Sequence, residues 1–294
     1  MIKIRVPATS ANLGPGFDCL GLALDIWNEI GFEESDSMIF QVTGEGAEKL
    51  KHRPKNLLTD SFQRVYEICG KPLKSISIQA RNNILHSSGL GSSAAAIVAG
   101  IYGANELLNK PLDTNALVKL ATEIEGHPDN VAPALLGSLV VSVMTESEVI
   151  TRRYDVPSFS VVIIKPDVQW KTRTARSVLP NTVSRADAIF NIGRTALVID
   201  ALRNGNLDLL QKVMDDRIHQ SYRLRQIPAA MAAYETAKQL GAAALSGAGP
   251  SIICFVSPEK TEIAKEKITN IFTEQSIESR GLITKPSSVG TYKL

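Results

Sequence analysis

The sequence predicts a mixed α+β protein built in two parts, and three observations carry that prediction. Short stretches of strict apolar/polar alternation, IKIRVPA at the start and SISIQA at 75–80, have the period of half-buried strands. Other segments repeat apolar residues three and four apart, the spacing of a helix with one face on a core. Strands and helices interleave along all 294 residues with no internal repeat and no low-complexity tract.

IKIRVPA and SISIQA are expected in one sheet. After the glycine-rich stretch HSSGLGSSAAA (86–96), Ser92 is placed to cap a helix carrying Ile97, Ile101, Ala104 and Leu108 on one face, ended by Asn109, Lys110 and Pro111. Thr114 is expected to cap a second helix with Leu117, Leu120, Ala121 and Ile124 on one face, stopped by Gly126 and Pro128, which puts HPDN (127–130) at its end. ESEVITRRYDVPS (146–158) is polar and contains proline, and reads as a connection. SVVIIK (160–165) then restarts as a buried strand, so the parts divide as 1–152 and 153–294. The second part predicts helices near 184–204, 206–218 and 229–240 and strands at AAALS and SIICFVS around a GAGP turn. A further helix follows with Ser257 as cap and Pro258 first, and SSVGTYKL makes a last strand.

Composition narrows the function. Lys and Arg number 32 against 30 Asp and Glu, a net charge of +2 that provides no electropositive stripe for nucleic acid. Cys19, Cys69 and Cys254 match neither a metal spacing nor a disulfide framework and point to a reducing cytoplasm. The start lacks an apolar signal segment, and the longest apolar run, ALLGSLVVSVM, is too short to span a bilayer, so no membrane partner is expected.

A glycine loop opening a helix is a phosphate site in the making: glycines let the backbone approach, amide N–H groups are free, and the helix dipole is positive there. His86, Ser87, Ser88, Gly89, Leu90, Gly91, Ser92, Ser93 and Ala94 form this candidate nucleotide loop. It is not a Walker loop, because the required lysine is absent. Gly89, Gly91 and Ala94 fit the GxGxxA dinucleotide fingerprint, but a second helix follows where that fingerprint needs a strand ending in an acidic residue.

PATSANLGPGFDCLG (7–21), the glycine loop and SGAGPS (246–251), in that order, resemble the GHMP kinase family over essentially the whole chain. PATSANLGPGFD together with HPDNVAP (127–133) is similar to its homoserine kinase branch. The resemblance implies an N-terminal domain with a left-handed βαβ unit, a ferredoxin-like C-terminal domain and an active site between them. The implied activity is phosphorylation of the L-homoserine hydroxyl by ATP with Mg2+ in threonine biosynthesis, by a cytoplasmic homodimer.

A free amino acid needs charge complementarity at both ends of a zwitterion, and an arginine fork suits its carboxylate. Arg176 in TRTARSVLP and Arg223 in HQSYRLRQIP match the family's carboxylate-binding positions, with Arg225 as the neighbour most easily mistaken for Arg223. Asp18 matches the residue meeting the amino and hydroxyl end, and Asn12, His127, Asn130 and Gly249 match further substrate contacts. Asp18, Asn130 and Arg176 are the implied catalytic group. For Mg2+ the family uses a loop serine and a glutamate of the following helix: Ser93, and in TEIEG either Glu123 or Glu125. Glu125 lies at the edge of the apolar helix face and is preferred; Glu123 points outward. The loop then manages without a lysine because backbone amides, the helix N-terminus and the metal carry the charge. Asn56 resembles a nucleotide-contacting asparagine and fits a helix cap equally well. Where mevalonate kinases carry a base, Asn130 stands, which implies direct attack aided by positioning. A mevalonate or shikimate kinase, or a silent ligand-binding regulator of the family, are the competing expectations.

Overall fold

The N-terminal alternation becomes strand β1 (Ile2–Ala11), with Ile4, Val6 and Ala8 fully buried. The chain turns through residues 12–19 and returns as β2 (Leu20–Glu34), whose start, LGLAL, is buried on both faces; without alternation the sequence alone does not mark it. In this computed structural model, which describes residues 1–50, 53, 55–73 and 75–294, β3 (Ile39–Gly44) leads through α1 (Ala47–Leu50) and α2 (Leu57–Ile68) to β4 (Ile76–Asn82). β3 and β4 are parallel, so the intervening helices form a βαβ crossover.

Helix α3 (Ser92–Leu107) follows the glycine loop and packs on α2 and β1. Ile97, Val98 and Ile101 are wholly buried, each contributing about 1.5–3 kcal/mol. Its N-cap is Gly91, not Ser92 as the sequence suggests, and no side chain caps the helix. Helix α4 (Thr114–Glu125) is likewise capped one residue earlier than expected: Asp113 accepts the Ala116 amide, because its carboxylate reaches the first turn from outside. Gly126 ends α4 in a left-handed conformation, and His127 is the N-cap of α5 (Pro128–Leu136), so HPDN starts a helix as well as following one.

β5 (Leu139–Met144) pairs with β2, and β6 (Val149–Tyr154) pairs with β5 and, among the described residues, with no other strand. The stretch expected to be a connection therefore contains a strand. Its Arg152 and Arg153 make it look like a loop in sequence, yet charge suits an edge strand with a wet face. The division expected after residue 152 falls within this strand.

The second part holds β7 (Ser160–Pro166), α6 (Thr172–Ser177), α7 (Arg185–Asn204), α8 (Leu207–Val213), α9 (Gln220–Leu224), α10 (Ala230–Leu240), β8 (Ala242–Leu245) and β9 (Ile252–Val256). A short turn capped by Ser257, α11 (Thr261–Glu274) and β10 (Ser279–Thr284) complete it. The antiparallel order β10-β7-β9-β8 is 4-1-3-2 in chain order, with helices after its first and third strands: the ferredoxin-like arrangement. α8 stops short of the expected 218 because the Asp216 carboxylate takes the amides of Ile218, His219 and Gln220 and redirects the chain into α9. The last strand, β11 (Tyr292–Lys293), pairs with β1 in the first sheet.

Candidate active site

A cavity of about 590 Å3 opens where the two parts meet, and residues of all three quoted motifs line it. Main-chain contacts draw those motifs together. The Thr9 amide donates to the Leu90 carbonyl at 3.2 Å, Gly247 N–H to Ala11 at 3.1 Å and Ser251 N–H to Ser88 at 3.2 Å. Ser246 Oγ adds a bond to the Gly89 carbonyl at 2.8 Å.

This closeness explains the loop glycines. A Cβ on Gly89 would lie 2.1 Å from the Ser246 carbonyl, at a φ of +79°, and one on Gly91 would lie 2.0 Å from Thr9 Oγ1. Gly89→Ala therefore combines a left-handed backbone penalty of about 1–2 kcal/mol with overpacking of about 1–3 kcal/mol. Gly70→Ala carries only the first penalty, since nothing lies within 4 Å of its Cβ at φ +61°. Thermal unfolding should show a clearly larger fall in Tm for Gly89→Ala; equal falls would mean that the close approach costs nothing.

Among the described residues no side chain caps the first amides of α3, which lie at the cavity together with Ser92 and Ser93. Ser88 is buried, with its hydroxyl spent on the loop itself: Oγ donates to the Leu85 carbonyl at 2.7 Å and accepts the Leu90 amide at 3.2 Å. Leu90 and Ala94 are fully buried and do not line the cavity, whereas His86, Ser87, Gly89 and Gly91 do. Ser93 Oγ donates to Glu125 Oε2 at 2.8 Å, while Glu123 is exposed. Burial pushes the Glu125 carboxyl above the usual carboxylate range, against the Ser93 bond and the charge of His127. Two oxygen donors of this kind suit Mg2+, which prefers hard ligands and takes few from protein. Among the described residues no group of three or more His, Cys, Asp or Glu gathers as a thiolate or imidazole metal centre would require.

Next along the cavity, His127 Nδ1 bonds to Asp129 Oδ1. Burial alone would lower the imidazole pKa, but the Asp129 bond and charge, with Glu125, outweigh it and raise the pKa. Asn130 accepts from Thr9 Oγ1 at 2.9 Å and is nearly buried.

The far end is charged in both senses. Arg176 grips Asp18 with both ends of its fork, Nη1 to Oδ2 at 3.0 Å and Nη2 to Oδ1 at 2.8 Å. Asn12 holds the loop carrying Asp18: its Oδ1 accepts the Asp18 amide at 3.0 Å and its Nδ2 donates to the Gly247 carbonyl at 2.8 Å. Arg223 is buried, donating from Nε to Ala175 at 3.1 Å and from Nη1 to the Gly247 carbonyl at 3.3 Å. Burial and then the nearby Arg176 push its pKa down to about 10, which leaves it charged near neutrality. Phe17 lies under both guanidinium groups, 5.8 Å from Arg176 and 5.2 Å from Arg223. Gly249 lines this region, whereas Arg225 does not.

Phe40, Leu57, Ala80, Ile84, Ala96 and Ala99 give the same cavity an apolar recess. Asn56 borders it while capping α2, accepting the amides of Leu58 at 3.0 Å and Thr59 at 3.3 Å.

Asp129 and Trp170 also line the cavity, and Thr9 and Phe17 support it through Asn130 and the two guanidinium groups; Trp170, which no sequence motif marks, is pinned by a bond from Nε1 to the Ala248 carbonyl at 2.7 Å. Phe17 had a signal in its position beside Asp18. The role of Trp170, by contrast, comes only from tertiary contact.

Residues 56–138 match the domain described as GHMP kinases N terminal domain, and residues 198–274 match GHMP kinases C terminal. A relative named homoserine kinase from Desulfitobacterium hafniense is 39% identical over 99% of both chains. Another of that name, from Moorella thermoacetica, is 44% identical over 87% of both. Among solved structures, homoserine kinase from Cytophaga hutchinsonii superimposes with a TM-score of 0.87 at 30% identity, covering 100% of this chain and 97% of that one.

Proposed function

The chain belongs to the GHMP kinase family, and from that premise we propose that it is a homoserine kinase, transferring the γ-phosphoryl group of ATP to the side-chain hydroxyl of L-homoserine. The product is O-phospho-L-homoserine, made for threonine biosynthesis. The observation that carries the substrate assignment is the pairing of Asp18 with Arg176 and buried Arg223 at the cavity end beyond the phosphate loop. A carboxylate for the ammonium and two guanidinium groups for the carboxylate are what a zwitterion requires. Bound to Asp18, Arg176 still has Nε–H and two further N–H donors to offer.

The apolar recess beside Asn56 takes the adenine, and the amides of Gly91, Ser92 and Ser93 at the start of α3 hold the phosphates. Ser93 and Glu125 fit Mg2+ and would hold it. When bound, the metal neutralises the β- and γ-phosphate charge, the task a lysine performs in Walker loops.

Arg223 and Arg176 fix the substrate carboxylate, Asp18 fixes the ammonium, and Asn130 and His127 border the transferring group. The homoserine oxygen attacks the γ-phosphorus in line as the bond to the β–γ bridging oxygen breaks, and the hydroxyl proton departs with the product. Asn130 cannot take up that proton, so positioning and electrostatics supply the acceleration.

Asp18→Asn should raise the homoserine KM about 30-fold, the worth of one charge-assisted hydrogen bond at about 2 kcal/mol, with a smaller change in kcat. Steady-state kinetics across pH check this. Abolished turnover together with loss of the acidic limb of the pH–rate profile would instead make Asp18 a general base.

Among the described residues no helix is long and apolar enough to cross a membrane. By its likeness to the homoserine kinases we place the enzyme in the cytoplasm as a homodimer. A coupled ADP-release assay with ATP, Mg2+ and L-homoserine, mevalonate, shikimate, L-serine or L-threonine tests the function. Turnover on homoserine alone upholds it, preference for mevalonate or shikimate reassigns the substrate, and silence on all with ATP bound favours a regulatory binder.

A further inference from the structure

His219 is wholly buried beneath the substrate end of the cavity. Its Nε2 lies 2.8 Å from the Gly14 carbonyl, which can only accept, so Nε2 carries the proton. Its Nδ1 lies 3.1 Å from Arg223 Nη1, which can only donate, so Nδ1 offers its lone pair. The two fixed partners thus dictate one neutral tautomer. Phe17 stacks on the ring at 5.1 Å, with 25° between the planes. Below, the Asp216 carboxylate is anchored by Asn191 Nδ2 at 2.7 Å and by the amides of Ile218, His219 and Gln220. The charged groups that act on the ring are Asp216, Arg223 and Asp18, and burial followed by Arg223 outweighs the two carboxylates to keep it neutral.

We propose that His219 is a positioning residue for substrate recognition: its Nδ1 lone pair orients the guanidinium of Arg223, while its Nε2–H ties that arginine to the Gly14–Asp18 loop. The two ends of the zwitterion site are then held in register through one ring. Arg223 Nε and Nη1 are spent on protein acceptors, and Nη2, which is not hydrogen-bonded among the described residues, is left for the substrate carboxylate. A charged imidazolium would turn a donor toward a donor and displace the guanidinium. The inference rests on Arg223 binding the homoserine carboxylate.

Glutamine can reproduce both bonds, because its amide presents a donor and an acceptor, whereas leucine can make neither. We expect His219→Leu to raise the homoserine KM by about tenfold or more with the ATP KM within about twofold, and His219→Gln to recover most of that loss. Nitrogen-15 NMR of the wild-type ring should show protonated Nε2 and bare Nδ1 at neutral pH. A homoserine KM within about twofold in His219→Leu, or homoserine and ATP KM rising together in both variants with a lowered Tm, would overturn the inference. So would a protonated Nδ1. The spectrum is independent of turnover: if the wild type fails to phosphorylate homoserine, the proposed function falls by that result, and His219 is judged on its tautomer alone.

Discussion

Glu125→Gln is expected to lower kcat about a thousandfold, or about 4 kcal/mol of transition-state stabilisation, and to raise the Mg2+ concentration needed for half-maximal rate. Glutamine keeps the size of the side chain and can still accept from Ser93 Oγ, now 2.8 Å from the carboxylate, so only the charge is lost. Stability should move the other way. The folded-state pKa of Glu125 is raised by burial, so the ionised form at neutral pH costs stability, a cost that fades as pH falls through that pKa. Near neutrality the variant should therefore unfold no earlier than the wild type while losing nearly all turnover. Glu123→Gln, at an exposed position on the same helix, serves as the control. A Mg2+ titration in which Glu125→Gln retains kcat within about threefold would remove Glu125 from the metal site.

Arg223→Met should reduce kcat/KM for homoserine by about a thousandfold, since a buried guanidinium facing a carboxylate supplies two charge-assisted bonds of about 1.5–3 kcal/mol each. The ATP KM should change little, because Arg223 is bonded to Ala175, His219 and Gly247 and to none of the residues of the apolar recess. Arg223→Lys should not rescue, as a single ammonium cannot serve Ala175, Gly247 and a carboxylate from one buried position. Comparison of kcat/KM for homoserine with the ATP KM in both variants decides. A loss under about tenfold places the carboxylate elsewhere, and equal damage to both substrates indicates collapse of the site.

What sequence could disclose was set by how local each requirement is. The glycine loop is legible because backbone approach and a helix start are encoded in adjacent residues, and Glu125 is legible from its helix face. Asp18 and Arg176 are 158 positions apart, and only the family resemblance joined them. Asn56 kept both of its readings: it caps α2 and also borders the cavity. His219 had no local signal, since its value lies in one carbonyl from residue 14 and one guanidinium from residue 223. Strand β6 was hidden by its own edge position, where charge replaces alternation.

The return of the chain to β1 has a mechanical consequence. The ferredoxin-like part is joined to the first sheet by two covalent tethers, one leaving β6 and one leading to β11. The second is pinned along its length, with Asp25 N–H on the Lys285 carbonyl, Ser287 N–H on Ala23 and Ser138 N–H on Ser287. The two sides of the cleft therefore share one hydrogen-bonded framework, and the bonds that cross it, Arg176 to Asp18 at 2.8 Å and His219 to Gly14 at 2.8 Å, join parts that the chain already ties at two places.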